Sequence, residues 1–224
     1  MNYYRLHTSI ILKEVGCFPQ TEGFHKIEYP VMMADDPRHL YGQGDFTYAH
    51  KDIYIPNHYL KKRAKVTDML SFSLRSDEII SERFKNIIEK YAEADFQLLP
   101  ITFERSEESY QYYLLRGIND KFKNNYELID FEKSIVTVFK EMRVEDYDIK
   151  ISNAKVLLHL IENTHLPSYV KIKRPYFLDN CNKHLLALRY VYYGYQIFVS
   201  EFLKNKLDEA KITGVKYLGL DDIL

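Results

Sequence analysis

The sequence predicts an α+β fold: a mixed or mostly antiparallel sheet carrying a duplicated, capped helix–strand unit. Three observations predict it. A short apolar run, Ile197-Phe198-Val199, meets Ser200, a helical pattern follows, and Gly214 stops it before Val215-Lys216-Tyr217-Leu218. The same arrangement begins at Ile79-Ile80-Ser81. Between and around the two lie segments dense in aromatic and β-branched residues, the composition of strands.

Each step of the unit has a physical reason. A serine before a helix accepts a hydrogen bond from a free amide of the first turn, and the glutamate after it sits where the helix dipole favours negative charge. Leu203, Leu207 and Ala210 recur at the spacing of one buried helix face. Gly214 supplies the left-handed residue that ends helices without a Cβ penalty. At one constant, gap-free offset, Ser81, Glu82, Lys85, Asn86 and Leu99 match Ser200, Glu201, Lys204, Asn205 and Leu218. Phe84, Ile88, Phe96 and Ile101 fall opposite Leu203, Leu207, Val215 and Leu220, so buried positions agree in type. An ancient duplication explains this, as architecture rather than chemistry.

In chain order, residues 2–15 open with a β-rich run that takes in Tyr3, Tyr4, Leu6 and Ile10-Ile11-Leu12. An irregular region rich in Pro, Gly and Asp follows, holding one short strand, Asp52-Ile53-Tyr54-Ile55, which Pro56 closes. Ser71 to Leu74 alternates as a strand does. The first helix is expected at 82–93 and its strand at 95–103. Tyr110 to Leu115 and Ser134 to Phe139 read as strands, with residues 121–126 as a polar connection. Tyr147 to Ile151 and Tyr169 to Lys173 alternate cleanly. Ala154 to Ile161 fits a helix that Thr164 to Pro167 ends. Lys183 to Tyr193 reads as strand or helix: the spacing of Leu185, Leu186, Leu188 and Arg189 is helical, while the Tyr/Val density before Gly194 favours a hairpin. No low-complexity linker divides the chain. The expectation is a single domain over 1–224, with an irregular β-rich part over 1–75 and the duplicated units with intervening strands over 76–224.

Composition bounds the function classes. A chain of 224 residues can bury a substantial core, and 46% hydrophobic with 28% charged residues is ordinary for a globular protein. No window approaches the ~20 apolar residues that span a bilayer, and no apolar leader stands at Met1 to Leu6. Cys17 and Cys181 are too few for a disulfide framework, so a cytoplasmic location is expected. A net charge of −1 argues against binding nucleic acid through bulk electrostatics. The unusual feature is 20 Tyr with no Trp. Tyrosine suits strands and recognition surfaces, because its ring buries area while its hydroxyl keeps a partner.

No catalytic constellation stands out. Gly42-Gln43-Gly44 lacks the rest of a phosphate-binding loop and reads as a surface turn. Cys181-Asn182-Lys183-His184 offers a thiol and an imidazole with no second ligand pair. Ser81 and Ser200 lack a nucleophile elbow, and capping accounts for both. The run Lys61-Lys62-Arg63-Ala64-Lys65 reads as a solvated edge or loop, and Glu145-Asp146-Tyr147-Asp148 lacks calcium-loop spacing. Tyr110, Tyr112 and Tyr113, with Tyr190, Tyr192, Tyr193 and Tyr195, suit a protein-binding surface, although alternation places part of each cluster in the core. No catalytic, cofactor or metal residue is therefore assigned.

The motifs as a set resemble a family of bacterial immunity proteins from polymorphic-toxin systems. The resemblance rests on Thr67-Asp68-Met69-Leu70, Ile80-Ser81-Glu82 with Lys85, Phe96 to Pro100, Val199-Ser200-Glu201 with Lys204, and Gly214-Val215. The opening Tyr3-Tyr4-Arg5-Leu6 fits too. The sequence departs from the pattern at Phe202, Lys206 and Asp95, and most of residues 15–50 and 120–175 lie outside the matching motifs. The resemblance implies a cytoplasmic, non-enzymatic protein whose partner is a cognate toxin domain, with no cofactor, nucleic acid or membrane. The alternative is an enzyme whose site is assembled from scattered Asp, Glu and His residues.

Overall fold

The computed structural model describes residues 1–24, 53–71, 78–92, 96–118, 125–140, 146–191 and 194–222. Among the described residues the chain forms thirteen strands and four helices, an α+β fold rich in sheet. Strand β1 (Tyr3–Thr8) leads to a one-turn helix, α1 (Leu12–Val15). Strands β2 (Thr21–Phe24), β3 (His58–Leu60), β4 (Met69–Leu70) and β5 (Glu78–Ser81) precede helix α2 (Glu82–Tyr91). Strands β6 (Phe96–Arg105) and β7 (Glu108–Gly117) form a long hairpin, followed by β8 (Ile135–Phe139) and β9 (Tyr147–Ile149). Helix α3 (Ala154–Asn163), β10 (Tyr169–Arg174), β11 (Leu185–Val191), β12 (Gly194–Ser200), helix α4 (Glu201–Glu209) and β13 (Val215–Gly219) complete the order.

Two compact units divide the chain: Met1–Leu6, Phe122–Lys204 and Tyr217–Leu224 make one, His7–Lys121 and Asn205–Lys216 the other. A seven-stranded sheet in the order β13-β1-β12-β11-β10-β8-β9 belongs mainly to the first. Its core face gathers Val136, Val138, Val170, Ile172, Leu186, Leu188 and Phe198 under Leu157 of α3. The opposite face carries Thr137, Phe139, Tyr169 and Lys171, as period-two alternation requires. The second unit holds a six-stranded sheet in the order β2-β3-β6-β7-β5-β4, with Leu70, Ile79, Leu99, Ile101, Phe103 and Leu114 in its core. Antiparallel pairs predominate in both sheets; β10 with β11 and β3 with β6 run parallel.

The sheet orders repeat each other. In one, β6-β7-β5-β4 places β7 between the strands that flank α2; in the other, β13-β1-β12-β11 places β1 between the strands that flank α4. Each helix thus joins two strands with one inserted between them, and that strand comes from β6's hairpin partner in one copy and from residues 3–8 in the other. Local chemistry fits the expected repeat: Phe84 and Ile88 of α2 and Leu203 and Leu207 of α4 are buried. Burial of each such side chain stabilises by about 1.5–3 kcal/mol.

Several expectations are corrected. Strand β1 stops at Thr8, and Leu12 opens α1 instead of extending the strand, because an apolar run alone does not distinguish the two. Tyr54 forms a single bridge, and the regular strand lies beyond Pro56 at His58–Leu60. The helical alternative at 183–193 is replaced by the β11–β12 pair, in which Leu185 faces Val199 and Val191 faces Gly194. The expected strand at Ser71 to Leu74 lies largely outside the described residues, and Gly42-Gln43-Gly44 wholly so.

Candidate functional site

The duplicated serines come first, being the residues most easily mistaken for chemistry. Ser81 Oγ accepts the Phe84 amide at 3.2 Å, and Ser200 Oγ accepts the Leu203 amide at 3.2 Å. Both are N-caps, and each hydroxyl has a second partner. Ser81 donates to Asp68 Oδ1 at 2.8 Å, whereas Ser200 lies 3.0 Å from His184 Nδ1. Asp68 and His184 hold equivalent places, each directly before the strand that pairs with the serine's own strand. Their carbonyls accept the serine amides at 2.7 and 2.9 Å.

A tyrosine completes each copy. Tyr112 stands opposite Ser81 and Tyr3 opposite Ser200 in the sheet registers. The Tyr112 hydroxyl donates to the carbonyl of Thr67 at 2.7 Å, and the Tyr3 hydroxyl to that of Lys183, also at 2.7 Å. Thr67 and Lys183 are the residues just before Asp68 and His184. Burial pushes both phenols above their ordinary range, aided at Tyr3 by its hydrogen bond to Cys181 and at Tyr112 by the Asp68 charge. Sequence reasoning found the serines but not these partners. The usable signal was Asp68-Met69-Leu70 against His184-Leu185-Leu186, a polar residue before two apolar ones.

Asp68 is the most heavily bonded carboxylate described. Besides Ser81 it accepts from Arg83 Nε at 3.1 Å, from the Thr213 amide at 2.9 Å and from the Thr213 hydroxyl at 2.9 Å. Burial alone raises its pKa, but the Arg83, Thr213 and Ser81 hydrogen bonds outweigh that and hold it below the usual carboxylate value. The cluster ties β4, α2 and the turn before β13 together.

The remaining candidates divide the same way. Cys181 is buried with its sulfur 2.9 Å from the Tyr3 hydroxyl oxygen, while His184 faces Ser200 and the Phe202 ring. The two residues therefore meet different neighbours rather than one metal, and no metal-holding cluster occurs among the described residues. A Ser–His contact suggests hydrolysis, yet Ser200 has no exposed surface and its oxygen caps α4. Asp148 accepts from Thr137 at 2.5 Å and Asp146 from the Lys140 amide at 3.2 Å, both within the sheet edge. Of the tyrosines, Tyr112 is core, Lys85 lies over the Tyr113 ring, and Tyr110 bonds Arg105. The side chains of Tyr190, Tyr192, Tyr193 and Tyr195 lie outside what is described.

The cap serines and the residues around them thus serve the fold, and a run of large apolar side chains lies at the surface. Ile10, Ile11 and Leu12 are 53, 59 and 62% exposed, and α1 buries only Val15. Each such side chain, a little over half exposed, forgoes roughly half of the 1.5–3 kcal/mol that full burial supplies. The segment is anchored to the 61–66 loop: the Lys65 amide bonds the Val15 carbonyl at 2.9 Å, and Lys65 Nζ reaches the Lys13 carbonyl at 2.7 Å. Gly16, at φ +79°, passes so close to the Arg63 carbonyl that a Cβ would lie 2.0 Å from that oxygen. A second exposed group lies on the other unit, where Phe139 and Tyr169 stack at 4.9 Å beneath Lys171.

The fold and its two serine-capped units define a repeat-built α+β protein whose surface carries large exposed apolar side chains. The model of the immunity protein family Imm11 matches residues 2–222, and the chain belongs to that family. The match extends the resemblance over the segments that carry no recognisable motif. A comparison with curated proteins finds no match. Among the described residues no helix is long and apolar enough to cross a membrane.

Proposed function

We propose that this chain is the immunity component of a polymorphic-toxin system: in the cytoplasm it binds one cognate toxin domain and neutralises it by contact, without catalysis. The observation that carries the reading is the family match over residues 2–222. Its physical counterpart is a pair of sheet-built units that leave large apolar side chains in water. Neutralisation by contact needs only a complementary surface, about 800 Å² per partner, with a few buried anchors. The second reading is an enzyme whose site is assembled from scattered Asp, Glu and His residues; the Ser200–His184 pair lends it no support, because that hydroxyl is inaccessible and committed to a cap.

The test is co-expression with candidate toxin domains, those encoded by neighbouring genes first. Cells making the toxin alone should stop growing, and cells making both should grow and yield a stoichiometric complex on gel filtration. Continued killing by every candidate overturns the reading. Protection without a complex, with the toxin recovered in covalently altered form, establishes the enzyme instead.

A further inference from the structure

We infer that the surface built by α1 and the 61–66 loop is the toxin-docking face, and that it fits an apolar knob or groove set in an acidic surround. The inference rests on the toxin-binding reading and adds the place and the partner's chemistry. Three consecutive aliphatic residues, Ile10, Ile11 and Leu12, stand more than half exposed, with Phe18 and Val66 of the same two segments at 50 and 46%. Solvated surfaces scatter such residues singly, and a run of them marks an interaction site. The run is also ordered before any partner arrives. The Lys65 contacts to Val15 and Lys13, the Lys61 amide to the Gln20 carbonyl at 2.9 Å, and the Gln20 side chain to the Lys65 carbonyl at 2.8 Å fix both segments. A preorganised face loses little conformational freedom on binding.

Charge selects the occupant. Lys13, Lys62, Arg63 and Lys65 are exposed around the apolar run, in a chain whose net charge is only −1. Of the nearby acidic groups, Glu22 of β2 is exposed, whereas Glu14 accepts the Gly214 amide at 2.7 Å and Glu108 is bonded by Tyr110 and Arg105. Glu107 of the same hairpin remains exposed. A basic rim around an apolar centre matches an acidic rim on the partner, which steers encounter and fixes register. A second copy of this chain is a poor occupant, because a two-fold interface would set the same cations against themselves.

The experiment measures affinity for the purified toxin domain identified by that co-expression, together with the unfolding midpoint of each variant. Ile11→Glu with Leu12→Glu should weaken binding at least a hundredfold while leaving the midpoint within a few degrees. Lys62→Glu with Arg63→Glu should slow association about tenfold or more at low salt and flatten its salt dependence. Tyr169→Ser, on the other unit's aromatic stack, should bind as the wild type does. Wild-type affinity in both α1/loop variants overturns the docking face while toxin binding stands, as does loss of binding in Tyr169→Ser alone. A wild-type chain that fails to bind overturns the toxin-binding reading and this inference with it. Dimerisation of the wild type that Ile11→Glu with Leu12→Glu abolishes, without change in toxin affinity, assigns the face to self-association and also overturns the proposal. Should the glutamate pair lower the midpoint, Leu12→Ser alone replaces it, since α1 buries only Val15.

Discussion

Asp68 and His184 occupy the same position in two copies of one structural unit, yet they carry different chemistry. Each accepts a cap-serine amide at its carbonyl and meets the serine hydroxyl with its side chain. Asp68 meets it as a carboxylate that also binds Arg83 and Thr213, whereas His184 meets it as an imidazole beside Phe202. The duplicated frame is the same, and only the polar partner has changed.

Replacing Asp68 by Ala should be the costlier change of the two. It strands the Ser81 hydroxyl and both Thr213 donors, and should cost about 3 kcal/mol by chemical denaturation. His184→Ala removes one hydrogen bond and one ring contact, and should cost about 1 kcal/mol. Equal losses would show that the Asp68 cluster is no more than a cap.

The same carboxylate predicts an acid limb. Its folded pKa lies below the unfolded value, so its stabilisation is present above the ordinary carboxylate range, about pH 4, and is lost as pH falls through the folded value. Unfolding midpoints measured from pH 6 down to 2 should fall more steeply for the wild type than for Asp68→Asn. Parallel curves would contradict this.

The serines should behave as caps and nothing more. Ser81→Ala and Ser200→Ala should each cost about 1 kcal/mol. Neither should abolish protection against the toxin in a chain that remains folded. Affinity collapsing at an unchanged midpoint would move these residues to an interface.

Gly214 should not tolerate a side chain. Its φ is +78°, and a Cβ there would stand 2.3 Å from the Met69 carbonyl oxygen and 2.7 Å from Thr67 Oγ1. Gly214→Ala combines left-handed strain with a backbone clash and should cost more than about 2 kcal/mol. Gly23, also at positive φ but with open space around it, should lose less when changed to Ala. Comparable losses would leave the close approach without energetic weight.

What was legible in the sequence was whatever repeats over a few residues. Ser81 and Ser200, the apolar spacing of Phe84 and Ile88, and Gly214 announce themselves because caps and periodicity are local signals. Tyr3 and Tyr112 were hidden, since their equivalence exists only after strands distant in sequence have paired. Ile10 to Leu12 was misread because an apolar run fits a strand, whereas here β1 ends at Thr8 and the run stands more than half exposed. The candidate face was therefore the least legible part: Lys61 to Lys65 is a loop with exposed cations, as its composition suggests, but its hydrogen bond to Val15 has no signal in the sequence.

The insertion of β1 beside β12 has a consequence for biosynthesis. Tyr3 pairs with Ser200 and Leu6 with Ile197, so the strand leaves the ribosome long before its partner has been translated. The copy around α2 has its strands close together in sequence and can close as it emerges. The copy around α4 must wait, keeping an unsatisfied edge in a crowded cell for most of translation. Slowing elongation before residue 185 should therefore lower soluble yield, and an unchanged yield would count against this account.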